Sequence, residues 1–421
     1  MIRSLLLAAS LVALAPAALA QTVAITGGKI VTNTAQGVIE DGTIVMRDGK
    51  IVSVSTGAPP AGATVIDADG KWITPGLFAA LSRAGLSELD SEDPTNDTSA
   101  PGSDFQASLR AADSFNPDDT AIDVTRIEGF TRAAIVGSPA NGLFGGYGAL
   151  IDFSGSFESV FARDVVMIAE LGEAGAGAAG GSRAAAWQWL LTAIDDAKAY
   201  PRGFEEDGEG DLITRKEAIA LKPVVEGRVP LMVEVHNASD ILQLLTLRQR
   251  EPRMKLVILG ATEGWRVADQ IAAAGVPVIV NPLTNLPDRF EILSATLENA
   301  GRLEAAGVTV AIADPGESTH NTRFILQLAG NAVANGMSWD AAFKAISSVP
   351  AALYGRNDLG VLRQGAIADV VIWNGDPLEL MASPDAVYIA GVSMPMESRQ
   401  TKLRDRYLDL GEQLPQAYER Q

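Results

Sequence analysis

Cysteine is absent from the 421 residues, and histidine occurs only twice. Without cysteine there is no disulfide, no thiolate nucleophile, no sulfur-held metal and no site for lipid attachment. Two imidazoles leave little material for a metal centre or an acid–base relay. Positive charge is also scarce: 33 Lys and Arg stand against 52 Asp and Glu, a formal net charge of −19. So acidic a chain is a poor partner for nucleic acid or an anionic membrane, both of which select basic surfaces. A phosphate loop ending in GKT/S and a Gly-x-Ser-x-Gly nucleophile elbow are missing as well, which argues against nucleotide binding and serine-hydrolase chemistry.

What is present is enough apolar material, 47% of residues, for a large core. The N-terminus, MIRSLLLAASLVALAPAALAQ, places Arg3 before an apolar run and Ala18-Leu19-Ala20 before Gln21. That pattern predicts a signal peptide over residues 1–20, cut after Ala20, and so a periplasmic or secreted chain with no membrane anchor. Residues 21–74 alternate short β-type runs with Gly-Gly and Asp-Gly bends and read as a small antiparallel sheet. From Pro75 to residue 358, apolar strands such as AAIVG, PLMVEVH, KLVILG, VPVIV and VTVAIAD alternate with helical stretches. The alternation predicts an α/β fold with a parallel sheet under outer helices. Residues 87–119 read as a long solvated loop and 171–186 as a Gly/Ala-rich connector. Short strands return over 359–395 and complete the N-terminal sheet, leaving residues 396–421 as a tail.

The stretch SVPAALYGRNDLGVLRQGAIADVVIWNGDPL at 348–378, with GGKIV, DGKIVSV and IDADGKWITPGL near the N-terminus, resembles the amidohydrolase superfamily. The nearer likeness is to its imidazolonepropionase-like and prolidase-like exported members, and it covers residues 23–395. The resemblance implies a (β/α)8 TIM-type barrel carrying a small composite β-sandwich built from both chain ends. It also implies hydrolysis of C–N bonds by a divalent metal that lowers the pKa of bound water. In that family the ligands are an HxH pair on the first barrel strand, often a lysine on the fourth, histidines on the fifth and sixth, and an aspartate on the eighth.

This sequence departs from the pattern at most of those places. PGLFAALSR aligns with the first strand and puts Ala79, Leu81 and Arg83 where the family has an aspartate and two histidines. Leucine cannot bind a metal, and a guanidinium repels one. LVILGATEGW puts Gly260 at the sixth-strand ligand position, with Thr262 and Glu263 matching around it. On the fifth strand Glu234 takes the ligand position and His236 follows two residues later on the same face. His236 is read either as a ligand or as a barrel-mouth residue bonded to the protein. No lysine sits on the fourth strand; Lys222 belongs to the helix or loop before the fifth. Asp314 in VTVAIADPGES aligns with the eighth-strand aspartate, and its other reading is a turn-capping carboxylate. His320 follows six residues on, and SPANGLFGGYG at 138–148 resembles a glycine-rich loop over the mouth.

Catalytic candidates are Asp314, Glu234 and His236; Arg83, Gly260, Glu263 and His320 are binding candidates around the mouth. No metal cofactor is expected, the alternative being one zinc on Glu234, His236 and Asp314. The chain reads as a superfamily homologue whose metal centre is largely lost, non-catalytic or weakly active. The alternative is an active amidohydrolase with a mononuclear or metal-free site. Partners would be a small-molecule or peptide-like ligand and a second copy or an active relative. Arg83 is expected to reach Glu234 or Asp314 and take the metal's place.

Overall fold

The computed structural model describes residues 22–89, 91–204, 213–314 and 319–408. The predicted signal peptide and the end of the tail lie outside these residues. Among the described residues no helix is long and apolar enough to cross a membrane.

Five strands open the fold: β1 (Val23–Val31), β2 (Val38–Arg47), β3 (Lys50–Ser55), β4 (Thr64–Asp67) and β5 (Trp72–Pro75). Arg47 pairs with Lys50, so Asp48 and Gly49 alone make the β2–β3 turn, with φ of 54° and 73°. Both angles are left-handed, as a two-residue hairpin turn of this hand requires.

The barrel follows, with β6 (Leu77–Ser82), β7 (Phe130–Ile135), β8 (Phe144–Asp152), β9 (Val160–Glu170), β10 (Leu231–Val235), β11 (Leu256–Gly260), β12 (Val278–Val280) and β13 (Val310–Ile312). They are neighbours in chain order, and β13 returns beside β6, so the sheet nearly closes. Leu81, Ile168, Met232, Leu259, Ile279 and Ala311 pack together inside it. Helices such as Arg215–Val225, Ala238–Arg250 and Ile325–Ala334 cover the outside.

One strand breaks the expected alternation. β8 runs antiparallel to both β7 and β9, so AAIVG is followed by a hairpin and not by a helix. The connection at 138–143 contains Pro139 and Gly142 and is too short for a helix. The second half of the glycine-rich stretch read as a mouth loop, residues 144–148, belongs to this strand. Gly146 has φ +84°, and a Cβ there would lie 2.6 Å from the Leu109 carbonyl oxygen. Its bareness lets the 87–119 segment pack against β8, where the Tyr147 N–H donates to Leu109 O at 2.8 Å. That segment buries Ala107 and Ala112 and is thus not simply solvated. The 171–186 connector likewise holds a short helix, Gly172–Ala178.

The last strands, β14 (Val370–Trp373), β15 (Pro384–Ile389) and β16 (Val392–Ser393), rejoin the first sheet. β14 pairs antiparallel with β5 from Val370↔Pro75 to Trp373↔Trp72. Ile25, Ile30, Ile44 and Ile73 then share a core with Leu362, Val370 and Ile372. The composite domain is therefore one continuous sheet drawn from both ends of the chain.

Candidate site at the barrel mouth

The C-terminal ends of the barrel strands bring together charged side chains that an apolar interior cannot hold. Glu170 closes β9 and Glu234 lies in β10, and the two are register partners on adjacent parallel strands. His236 stands just past β10 and is buried. Its Nδ1 lies 2.8 Å from Thr262 Oγ1 and its Nε2 3.1 Å from Glu234 Oε1, so both ring nitrogens are engaged. Arg289 reaches over the ring, with Nη2 3.4 Å from His236 Nε2 and Nε 3.5 Å from Glu291 Oε1. Glu291 is buried and accepts the Glu173 N–H at 2.9 Å. Burial, then the carboxylates of Glu234 and Glu291, push the Glu170 carboxyl up to about 7, against the pull of Arg289 and Arg83.

The remaining expected residues fall in different places. Leu81 belongs to the apolar interior just below the mouth. Arg83 donates from Nη2 to Ser138 Oγ and acts on Glu170 through its charge. The guanidinium standing over the Glu234–His236 pair is that of Arg289. Asp314 lies two residues past β13 and is half-buried, whereas His320 is exposed. Glu263, expected as a binding residue, is 1% exposed. Its oxygens accept from the backbone N–H groups of Ser294 at 2.9 Å and Ala238 at 3.2 Å, and from Arg266 at 2.9 Å. It is a structural carboxylate that ties loops together. Lys222 lies in the helix Arg215–Val225 and donates to the Lys198 and Tyr200 carbonyls, away from the fourth strand.

Gly260, at the end of β11, has φ +90°. A Cβ there would land on Cε1 of His236 and lie 2.7 Å from its Nδ1. The imidazole therefore lies flat over the position from which a sixth-strand ligand would project. Three participants were missed in the sequence. Glu170 carried a signal, an acid closing the apolar run VVMIAE, but Arg289 and Glu291 sit in an irregular loop without periodicity.

Residues 254–396 match the model of the amidohydrolase family. That stretch, about a third of the chain, is similar to the amidohydrolase family. Amidohydrolase tasK of Hapsidospora irregularis is 23% identical over 398 residues, covering 84% of this chain. The chain spans only 40% of the length of that curated relative. Among solved structures, an amidohydrolase from Thermotoga maritima MSB8 superposes with a TM-score of 0.79 at 24% identity, over 88% of this chain and 99% of that one. A prolidase complexed with N-methylphosphonate-L-proline gives a TM-score of 0.58 at 16% identity, over 90% and 100%. Molinate hydrolase gives 0.55 at 18%, over 90% and 95%. These likenesses show the fold.

The superfamily resemblance implies a divalent metal, and the residues at this mouth do not fit one. The first strand offers a leucine and the sixth a glycine beneath a ring. The single imidazole present has both nitrogens committed to Glu234 and Thr262. Among the described residues no three of His, Cys, Asp or Glu are grouped so that they could hold a metal ion.

Proposed function

We propose that this chain is an exported, periplasmic or secreted member of the amidohydrolase superfamily that has given up metal-dependent hydrolysis of C–N bonds. It uses the barrel mouth to hold a small-molecule or peptide-like ligand without turnover. The observation that carries this reading is the His236 ring lying on Gly260, because it fills the space of one ligand and occupies the donors of another. In the metal-dependent reaction, water is activated at neutral pH by an ion whose charge lowers the water's pKa. Without such an ion, the arginines at the mouth answer the carboxylates directly. The test is a thermal melt with increasing Zn²⁺ or Mn²⁺, alongside metal analysis of dialysed protein. We expect no saturable rise in melting temperature and no stoichiometric metal. One tightly held equivalent that disappears in Glu234→Gln would overturn the proposal.

A second reading rests on the pairing of Glu170 with Glu234. Two carboxyls side by side, one of them titrating at about 7, is the arrangement of a metal-free acid–base pair. It predicts metal-independent hydrolysis of amide substrates that Glu170→Gln abolishes.

A further inference from the structure

The barrel has a second concavity, on its outer wall and apart from the mouth. Because β8 enters and leaves through hairpins, no connecting helix covers β8 and β9 there. The 87–119 segment and the helix Arg215–Val225 close over the gap incompletely, leaving a cavity of about 520 Å³. That volume suits a ligand of small-molecule size. Its apolar lining comes from Phe105, Leu109, Tyr147, Ile219 and Pro223.

The walls are fixed. Glu217 of the helix accepts through Oε1 from Gln106 N at 3.2 Å and from Ser108 Oγ at 2.5 Å, which clamps the loop to the helix. Tyr147 donates its hydroxyl to the Ala220 carbonyl, and burial pushes that phenol up to about 12, so it stays protonated.

Two polar features are left over. Arg110 Nε meets both Asp164 oxygens, at 3.0 and 3.2 Å, so that pair neutralises itself. Lys216 lies 4.7 Å from the centroid of the Phe105 ring, and among the described residues it meets no carboxylate. Pro223 sits inside the helix and has no N–H to give the Ile219 carbonyl four residues earlier, and both residues line the cavity. A carbonyl without its usual helical donor and a cation thus belong to residues that line an apolar cleft.

We propose that this cavity binds an amphipathic monocarboxylate: an apolar body lies on Phe105 and Tyr147, its carboxylate meets Lys216, and a neighbouring N–H meets the Ile219 carbonyl. The proposal is independent of what the mouth does.

The probe is N-acetylphenylalanine, which carries a ring, a carboxylate and an amide N–H, titrated calorimetrically into the whole chain. Its carboxamide, which lacks the charge, is the comparison. We expect saturable binding of the acid, about tenfold weaker for the carboxamide and about tenfold weaker in Lys216→Gln, as loss of one charge-assisted contact implies. Arg289→Ala at the mouth should bind as the parent does. Lys216 is exposed, so its replacement leaves the fold intact. No saturable binding, equal affinity for acid and carboxamide, or binding lost in Arg289→Ala but kept in Lys216→Gln would each overturn the assignment.

Discussion

Glu170 carries a charge problem that its neighbours do not fully solve. Its carboxyl is raised from the reference value of 4.5 to about 7, first by burial and then by Glu234 and Glu291. Between these two values the folded chain holds a proton that the unfolded chain has released. Stability therefore falls as pH rises across that window, with no penalty below it and the full penalty above about pH 7. Glu170→Gln removes the titration. It should be more stable than the parent at pH 8, by at most on the order of 3 kcal/mol, and nearly equal to it at pH 4. Urea midpoints at the two pH values measure this, and a difference that does not change with pH would show that Glu170 is solvated. Residue identities made part of the mouth legible beforehand. Glu234 and His236 share a face because strand side chains repeat every two residues, and the missing ligands at Leu81 and Gly260 are visible as letters. The arginine that answers the carboxylates was not legible, since Arg289 arrives from an irregular loop after β12 and only the folded chain brings it over His236.

Between elements, a buried ion pair ties the barrel to the sheet. Arg132 on β7 gives Nε to Asp369 Oδ2 at 2.7 Å and Nη2 to Asp369 Oδ1 at 3.1 Å, just before β14. Asp369 also accepts the Ala390 N–H at 2.8 Å, and its own carbonyl accepts from Gly76 N–H at 3.0 Å. Burial works against the guanidinium's charge, and Asp369 and Asp152 more than offset it. Removing one partner strands the other, so Asp369→Ala should cost roughly 3–5 kcal/mol. An apolar pair, Arg132→Met with Asp369→Leu, should recover much of that loss, as measured by urea unfolding. A single variant as stable as the parent would mean that Asp152, 3.4 Å away, suffices alone. The Asp half of this pair lies in the motif GAIADVVIW, so it was conspicuous in the sequence. The Arg half lies in FTRAAI, which reads only as an apolar strand. The antiparallel β8 was hidden for a related reason: a run of glycines signals a loop, whereas here it marks a strand against which other backbone packs closely.

For the molecule as a unit, the two chain ends are interdependent because neither can bury its apolar face without the other. β5 has β1 on one side and β14 on the other, and Ile73 at its centre is fully buried. A chain ending after Gly360 lacks Leu362, Val370, Ile372 and Tyr388, all of which share the core of the N-terminal strands. It would expose that face together with an unpaired β5 edge, the combination that drives strand-to-strand aggregation. It would also leave Arg132 without Asp369. This truncation should therefore be insoluble. A chain ending after Ser398 makes the informative contrast, because it loses the helix Arg399–Leu408, which has no buried residue. That shorter deletion should stay soluble and unfold in one transition close to the parent's midpoint. If instead the chain ending at Gly360 is soluble and unfolds cooperatively, the N-terminal strands fold without the C-terminal ones and the composite sheet is not a single stability unit.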